Sequence, residues 1–224
     1  MPTFTSFTET GGDHKANEDV FAVVAHPLDP DIVICVMADG LGGQPGGGRA
    51  AEVACRTVVD AAKETPPYRL EWPATWPKLL RAADEAVRAD AAAGLTTVVA
   101  LSVGVNGLYG ASCGDSAALI VTADDQEELT RGQWKNPPVG SGEAEPVGFV
   151  DLPAEPWKLL VMTDGVWKYA GWRKLIDAAR HLAGAELVAE CQRAARLPGS
   201  GRFQDDFTLV VIEPDAGKCW RIAD

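Results

Sequence analysis

The sequence predicts an α+β protein in which strands pair as sheets and helices stack outside them, and three observations predict it. Strand-like apolar runs cluster at the start, the middle and the end of the chain. Two pairs of amphipathic helical faces separate those clusters. The middle strands follow one another as consecutive hairpins, so the strict strand-helix alternation of a parallel doubly wound sheet is missing. A chain of 224 residues is one domain of ordinary size, and a single domain over 1–224 is expected.

Taken in order, residues 3 to 8 alternate loosely between Thr and Phe, and Val20 to Ala25 is rich in strand formers. Ile32 to Ala38 is a continuous apolar run, as a core strand covered on both faces requires, and it stops at Asp39-Gly40. After a glycine-rich loop, Ala50, Val53, Ala54, Thr57, Val58 and Ala61 recur at helical spacing until Pro66-Pro67. Leu79, Leu80, Ala83, Ala86 and Val87 form a second helical face, with Gly94 placed to end it. Strands are expected over 96–103, 108–112 and 117–122 as an antiparallel meander. The stretch from Ala123 to Pro156 is rich in Pro, Gly and acid, shows no periodicity, and is expected to be mobile. Lys158 to Thr163 is another strand, ending at Asp164-Gly165. Helical faces follow around Leu175 to Leu182 and Leu187 to Ala195, and a last strand, Phe207 to Ile212, begins directly after Asp205-Asp206.

Composition excludes several classes. Apolar residues make up 46% and charged residues 23%, as in a folded globular chain. With 20 Lys and Arg against 32 Asp and Glu, the net charge of −12 argues against binding nucleic acid or an anionic membrane. The five cysteines, Cys35, Cys55, Cys113, Cys191 and Cys219, are odd in number and form no Cys-x-x-Cys pair, so they read as reduced thiols. No apolar run approaches the roughly 18 residues of a membrane span, and Met1 to Thr10 lacks the pattern of a signal peptide. A cytoplasmic location is expected.

The informative regularity is acidic. Glu18-Asp19 precedes Val20, Asp39 follows Ala38, Asp115 separates two strands, Asp164 follows Thr163, and Asp205-Asp206 precedes Phe207. Strand ends of a layered domain converge on one rim, which brings these carboxylates near one another. That many like charges either take up protons or bind divalent cations with a taste for hard oxygen, Mg²⁺ or Mn²⁺. A pair of such ions lowers the pKa of a water and clamps the oxygens of an in-line displacement at phosphorus. The pattern therefore predicts a metal-dependent phosphate-ester hydrolase.

Singly, each acid has a plainer reading. Asp39-Gly40 and Asp164-Gly165 are favoured hairpin dipeptides, and Asn17-Glu18-Asp19 and Asp205-Asp206 read as solvated turns. A hairpin returns at once as a strand, however, whereas Gly40 is followed by Leu41-Gly42-Gly43-Gln44-Pro45-Gly46-Gly47-Gly48 and a helix. That loop is not a nucleotide-binding P-loop, which needs Lys and then Ser or Thr after its last glycine where this chain has Arg49-Ala50.

The ordered set Asn17-Glu18-Asp19, Ala38-Asp39-Gly40-Leu41-Gly42-Gly43, Gly94-Leu95-Thr96-Thr97, Gly114-Asp115-Ser116, Thr163-Asp164-Gly165-Val166-Trp167 and Asp205-Asp206-Phe207-Thr208 resembles the metal-dependent protein phosphatase 2C family, in its bacterial branch. The resemblance runs from about residue 10 to residue 213. It implies a four-layer αββα sandwich, two antiparallel sheets flanked by helices, with a Mn²⁺ or Mg²⁺ pair at one end and phosphoserine or phosphothreonine in proteins as substrate. It further implies that Asp39 bridges both ions, that the Gly40 carbonyl binds one, and that Asp164 and Asp205 ligate the other. Glu18 and Asp19 would act through metal-bound water, and Asp115 with Asp164 would hold a third, weaker ion. Thr96 and Thr97 are expected to be structural. A partner serine/threonine kinase would supply the phosphorylated protein.

Four departures stand out. His14, with Lys15 beside it, occupies the place of the family's phosphate-holding arginine, five residues before Asp19. A neutral histidine lacks the bidentate guanidinium fork, so protonated His14 or Lys15 would supply a single charge. Ala117 stands where arginine is common, Lys168 where an acid often follows, and Asp206 where asparagine is frequent, adding one more acid near the ions. The flap beside the site, and with it substrate choice, would fall within 123–156. Two alternatives stay open: a regulatory or phospho-binding module with weak turnover, and a phosphatase of small phosphorylated molecules.

Overall fold

The computed structural model describes residues 1–12, 14, 16–43, 45–133, 137–152 and 156–214. Lys15, Trp134 and Cys219 lie outside the described residues. In chain order the elements are β1 (Thr3–Glu9), β2 (Asp19–His26), β3 (Asp29–Asp39), α1 (Gly47–Glu64), α2 (Pro67–Leu70), α3 (Thr75–Ala89), β4 (Val98–Gly104), β5 (Gly107–Cys113), β6 (Ala117–Thr122), β7 (Gln126–Glu128), β8 (Val147–Asp151), β9 (Trp157–Met162), α4 (Asp164–Ala170), α5 (Trp172–His181), α6 (Gly184–Ala195) and β10 (Phe207–Glu213).

The continuous apolar strands follow from the layering. In β3, Ile34, Val36 and Ala38 face helices α1 and α3, while Cys35 and Met37 face the other sheet. In β9, Leu160 and Met162 face helices α4 to α6, while Leu159 and Val161 meet the first set between the sheets. With both faces of a strand buried, every position is apolar and the period-two alternation of a half-solvated strand disappears. The sheets run β1-β10-β9-β6-β7 and β2-β3-β4-β5-β8, antiparallel throughout. Helices α1 and α3 cover the second sheet and α4 to α6 the first, so two antiparallel sheets are flanked by helices as expected.

Three local expectations change. The expected meander breaks at Gly114: β4 and β5 pair as a hairpin, but β6 pairs with β7 and β9 in the opposite sheet. Gly114 takes φ of +106°, and a Cβ there would lie 2.5 Å from the Cβ of Thr97, so only glycine turns the chain across the sandwich at this corner. Asp115 is thereby carried to the rim.

The described parts of the stretch 123–156 are built, not loose. β7 and β8 each extend a sheet edge, and the buried Asp84 carboxylate accepts the N–H groups of Gly140, Gly142 and Ala144 at 2.7, 3.0 and 3.3 Å. Its strands escape a periodicity test because β7 has three residues and β8 exposes both Val147 and Val150. Gly94 does not end the second helix: α3 stops at Ala89, and the Gly94 N–H instead donates to the Gly46 carbonyl at 2.8 Å.

Cys35, Cys55, Cys113 and Cys191 are buried free thiols. Among the described residues no helix is long and apolar enough to cross a membrane.

Candidate active site

The strand ends meet at one end of the sandwich, around a cleft of about 410 Å³. His14, Glu18, Asp39, Gly40, Asp115, Asp164, Asp205 and Asp206 all line it. Asp19 sits behind this surface, opposite Asp39 in the β2–β3 register. Every described residue expected at the site is thus gathered at this end, and none is left elsewhere in the fold.

Asp39 is held by its backbone. Its carbonyl accepts the Thr97 N–H at 2.9 Å and the Thr96 hydroxyl at 2.8 Å, and its N–H donates to Thr97 Oγ1 at 3.3 Å. Thr97 Oγ1 in turn contacts Ser116 Oγ at 2.7 Å, so the two threonines are structural and tie the β3 end to the Asp115 corner. Gly40 has no room for a side chain: a Cβ would lie 2.3 Å from the Gly47 backbone. That contact explains the glycine-rich loop, which packs main chain against main chain under Glu18, with the Gly48 N–H 3.4 Å from Glu18 Oε1.

The electrostatics are those of carboxylates gathered without enough positive charge. Burial pushes the Asp39 carboxyl well above its usual range, and the charges of Asp19, Asp164, Asp115 and Asp205 push it further. Burial carries Asp19 up to about 7, opposed by the nearby hydroxyls of Thr208 and Thr163, the latter donating to Asp19 Oδ2 at 2.9 Å. Asp19 Oδ1 is buried with no hydrogen-bond partner among the described residues. An orphaned buried carboxylate oxygen is costly, and a cation or an ordered water is what such an atom takes. The carboxylates face one cleft and not one point: among the described residues no three His, Cys, Asp or Glu side chains enclose a common centre. All-oxygen donors with high charge density suit hard divalent ions, so the residues present fit Mg²⁺ or Mn²⁺.

The profile of the protein phosphatase 2C family matches residues 12–198. The chain belongs to that family. Protein phosphatase 2C enzymes are metal-dependent serine/threonine protein phosphatases, and this chain is an enzyme of that class. Its fold is shared with the serine/threonine phosphatase Stp1 from Staphylococcus aureus, at 17% identity and a TM-score of 0.79 with 96% of each chain covered. It is shared too with the catalytic domain of the serine threonine protein phosphatase PstP in complex with two manganese ions, at 19% identity and a TM-score of 0.75, over 95% of this chain and 97% of that one. PppA, a key regulatory component of T6SS in Pseudomonas aeruginosa, gives 20% identity and a TM-score of 0.73 over 95% of this chain and 97% of that one. No curated protein matches the sequence.

Within this phosphatase 2C site, two residues have roles that the sequence did not disclose. Asp206 is not simply an added acid. Its Oδ1 accepts the Gly11 N–H and its Oδ2 the Glu18 N–H, both at 2.8 Å, and His14 Nδ1 lies 3.2 Å from Oδ1. It organises the loop that carries His14 and Glu18. Lys168 is not simply a lost acid either: its ammonium pairs with Asp164 Oδ2 and lies 3.8 Å from Asp115 Oδ2. The Asp164–Lys168 spacing of one helical turn was the readable signal. It was obscured because Asp164 opens α4, a helix of seven residues that shows no periodicity of its own. Ala117, where arginine is common, is buried in the apolar cluster under α4 to α6. No described residue of 123–156 lines the cleft.

Proposed function

We propose that this phosphatase 2C chain hydrolyses phosphoserine and phosphothreonine in proteins that a serine/threonine kinase has modified, with 1–224 acting as one catalytic domain. The observation that carries the reading is the convergence of Asp39, Asp115, Asp164 and Asp205 on one cleft, with the orphaned Asp19 oxygen behind them. Asp39, the Gly40 carbonyl, Asp164 and Asp205 would hold two divalent ions, Mn²⁺ or Mg²⁺, with Glu18 and Asp19 supporting them through water. When bound, such ions supply the positive charge that acidifies an attacking water and neutralises the phosphate. The chain's own residues then position these groups. Thr96 and Thr97 fix the Asp39 backbone, and Asp206 fixes the loop bearing Glu18 and His14. Asp115 with Asp164 forms an outer carboxylate pair, the position that the resemblance assigns to a third ion. The four buried free thiols favour a reducing compartment and hence a cytoplasmic location.

Manganese-dependent turnover of a phosphothreonine peptide, abolished by a chelator and restored by metal, is the expected result. Faster turnover of sugar phosphates than of the peptide would favour the small-molecule reading. Bound metal without turnover of either substrate would leave a phospho-binding module.

His14 is the phosphate-side residue of this reading. Its imidazole stands at the cleft rim, 3.2 Å from Asp206 and 4.0 Å from Asp205. Restoring a guanidinium fork with His14→Arg should lower KM for the phosphopeptide about tenfold, the worth of roughly 1.4 kcal/mol in a charge-assisted contact. His14→Ala should raise KM with little change in kcat. Steady-state kinetics decide the matter: if neither variant moves KM, His14 does not touch the phosphate.

A further inference from the structure

We propose that the Lys168 ammonium serves as a built-in cation of the site, standing on the outer Asp164–Asp115 pair so that no third divalent ion binds there. The inference rests on the reading that Asp39, Asp164 and Asp205 hold two ions. Lys168 pairs with Asp164 Oδ2 and lies 3.8 Å from Asp115 Oδ2, which places one positive charge between two carboxylates at the neighbouring ends of β6 and β9.

The position is built, not incidental. Trp167, the preceding residue on α4, donates its indole N–H to the Asp115 carbonyl at 3.0 Å and so pins α4 to the β5–β6 corner. Its ring stacks on Trp172 with centroids 5.5 Å apart and 12° between planes. Lys168 Nζ lies 5.7 Å from the Trp167 ring centroid, a third source of attraction for the ammonium. The carboxylates are largely withdrawn from solvent, at 13% exposure for Asp164 and 20% for Asp115, while the Lys168 side chain reaches them from the rim at 37% exposure.

A tethered ammonium and a hydrated divalent ion compete for the same two carboxylates. The ammonium is always present at high effective concentration, and it repels a second cation brought to the same oxygens. It also differs chemically: it offers N–H donors and one charge but no Lewis acidity. The outer position would thus contribute a fixed charge beside the phosphate and no metal of its own.

Equilibrium dialysis against saturating Mn²⁺ tests the proposal through a count of bound ions, without recourse to turnover. Two ions per chain are expected for the natural protein and for Lys168→Arg, which keeps the charge, and three for Lys168→Met, which removes it. Three ions in the natural protein overturn the proposal whatever the variants do, and so does an unchanged count in Lys168→Met with its melting temperature preserved. A natural protein that binds no Mn²⁺ overturns the two-ion reading itself, which separates that failure from the failure of the Lys168 inference. In Lys168→Met the manganese dependence of phosphatase activity should also gain a second, weaker phase.

Discussion

Asp39→Ala should leave a folded protein whose manganese-dependent phosphatase activity is down by about a thousandfold or more, since several kcal/mol of metal-derived stabilisation would be lost with the carboxylate proposed to hold both ions. Retention of the fold follows from how the residue is held. Its hydrogen bonds to Thr96 and Thr97 all use the backbone, which alanine keeps. The side chain removed is a buried carboxylate that Asp19, Asp164, Asp115 and Asp205 all destabilise in its charged form. The metal-free alanine variant should therefore melt no lower than the natural protein, while losing turnover of both p-nitrophenyl phosphate and a phosphopeptide. This pairing of lost activity with undiminished stability distinguishes a metal-bridging residue from a merely structural one. Activity within about tenfold of the natural protein would show that the bridging role belongs to another residue.

The second large effect concerns pH and metal together. An acid whose pKa is raised by folding binds its proton more tightly in the folded state, so it favours folding at low pH and loses that advantage as pH rises through the folded value. Asp19 moves from 3.8 to about 7, and Asp39 and Asp164 move in the same direction, all three led by burial. Between about pH 4 and pH 8, Asp19 alone costs the metal-free protein on the order of 4 kcal/mol. In a chain of this size that is a fall in Tm of roughly 10 °C. Manganese should offset most of this loss, because ions bind the deprotonated carboxylates and stabilise by about 2.7 kcal/mol per site at a hundred times Kd. Thermal melts across this pH range, with chelator and with Mn²⁺, provide the check. A chelator-treated protein whose Tm rises between pH 5 and pH 8 would contradict the buried arrangement of these acids.

Much of this molecule was legible in the chain because burial writes itself into composition. The uninterrupted run Ile32 to Ala38 announced a strand covered on both faces, and β3 is such a strand, with helices on one side and the first sheet on the other. Acids abutting apolar runs announced strand ends, since a carboxylate stops a buried strand where water or a cation begins. Resemblance to the phosphatase 2C family then ordered those ends into one expected site.

Partnership was not legible, because it depends on which strand ends fold against which. Nothing local to Gly114-Asp115-Ser116 distinguishes a hairpin from a crossing, and only the close approach to Thr97 decides it. Asp206 reads as one acid among many, yet its two oxygens are spent on the N–H groups of Gly11 and Glu18, residues almost a whole chain length away in sequence. Lys168 reads as an ordinary cation on a short helix, and only the docking of α4 on the β5–β6 corner sets it between Asp164 and Asp115. The sequence by itself determined the layers, the strand ends and the acids that crowd them, because these follow from local polarity and its period. Tertiary structure alone decided how those acids share their few cations and donors, because charges interact through space and not along the chain.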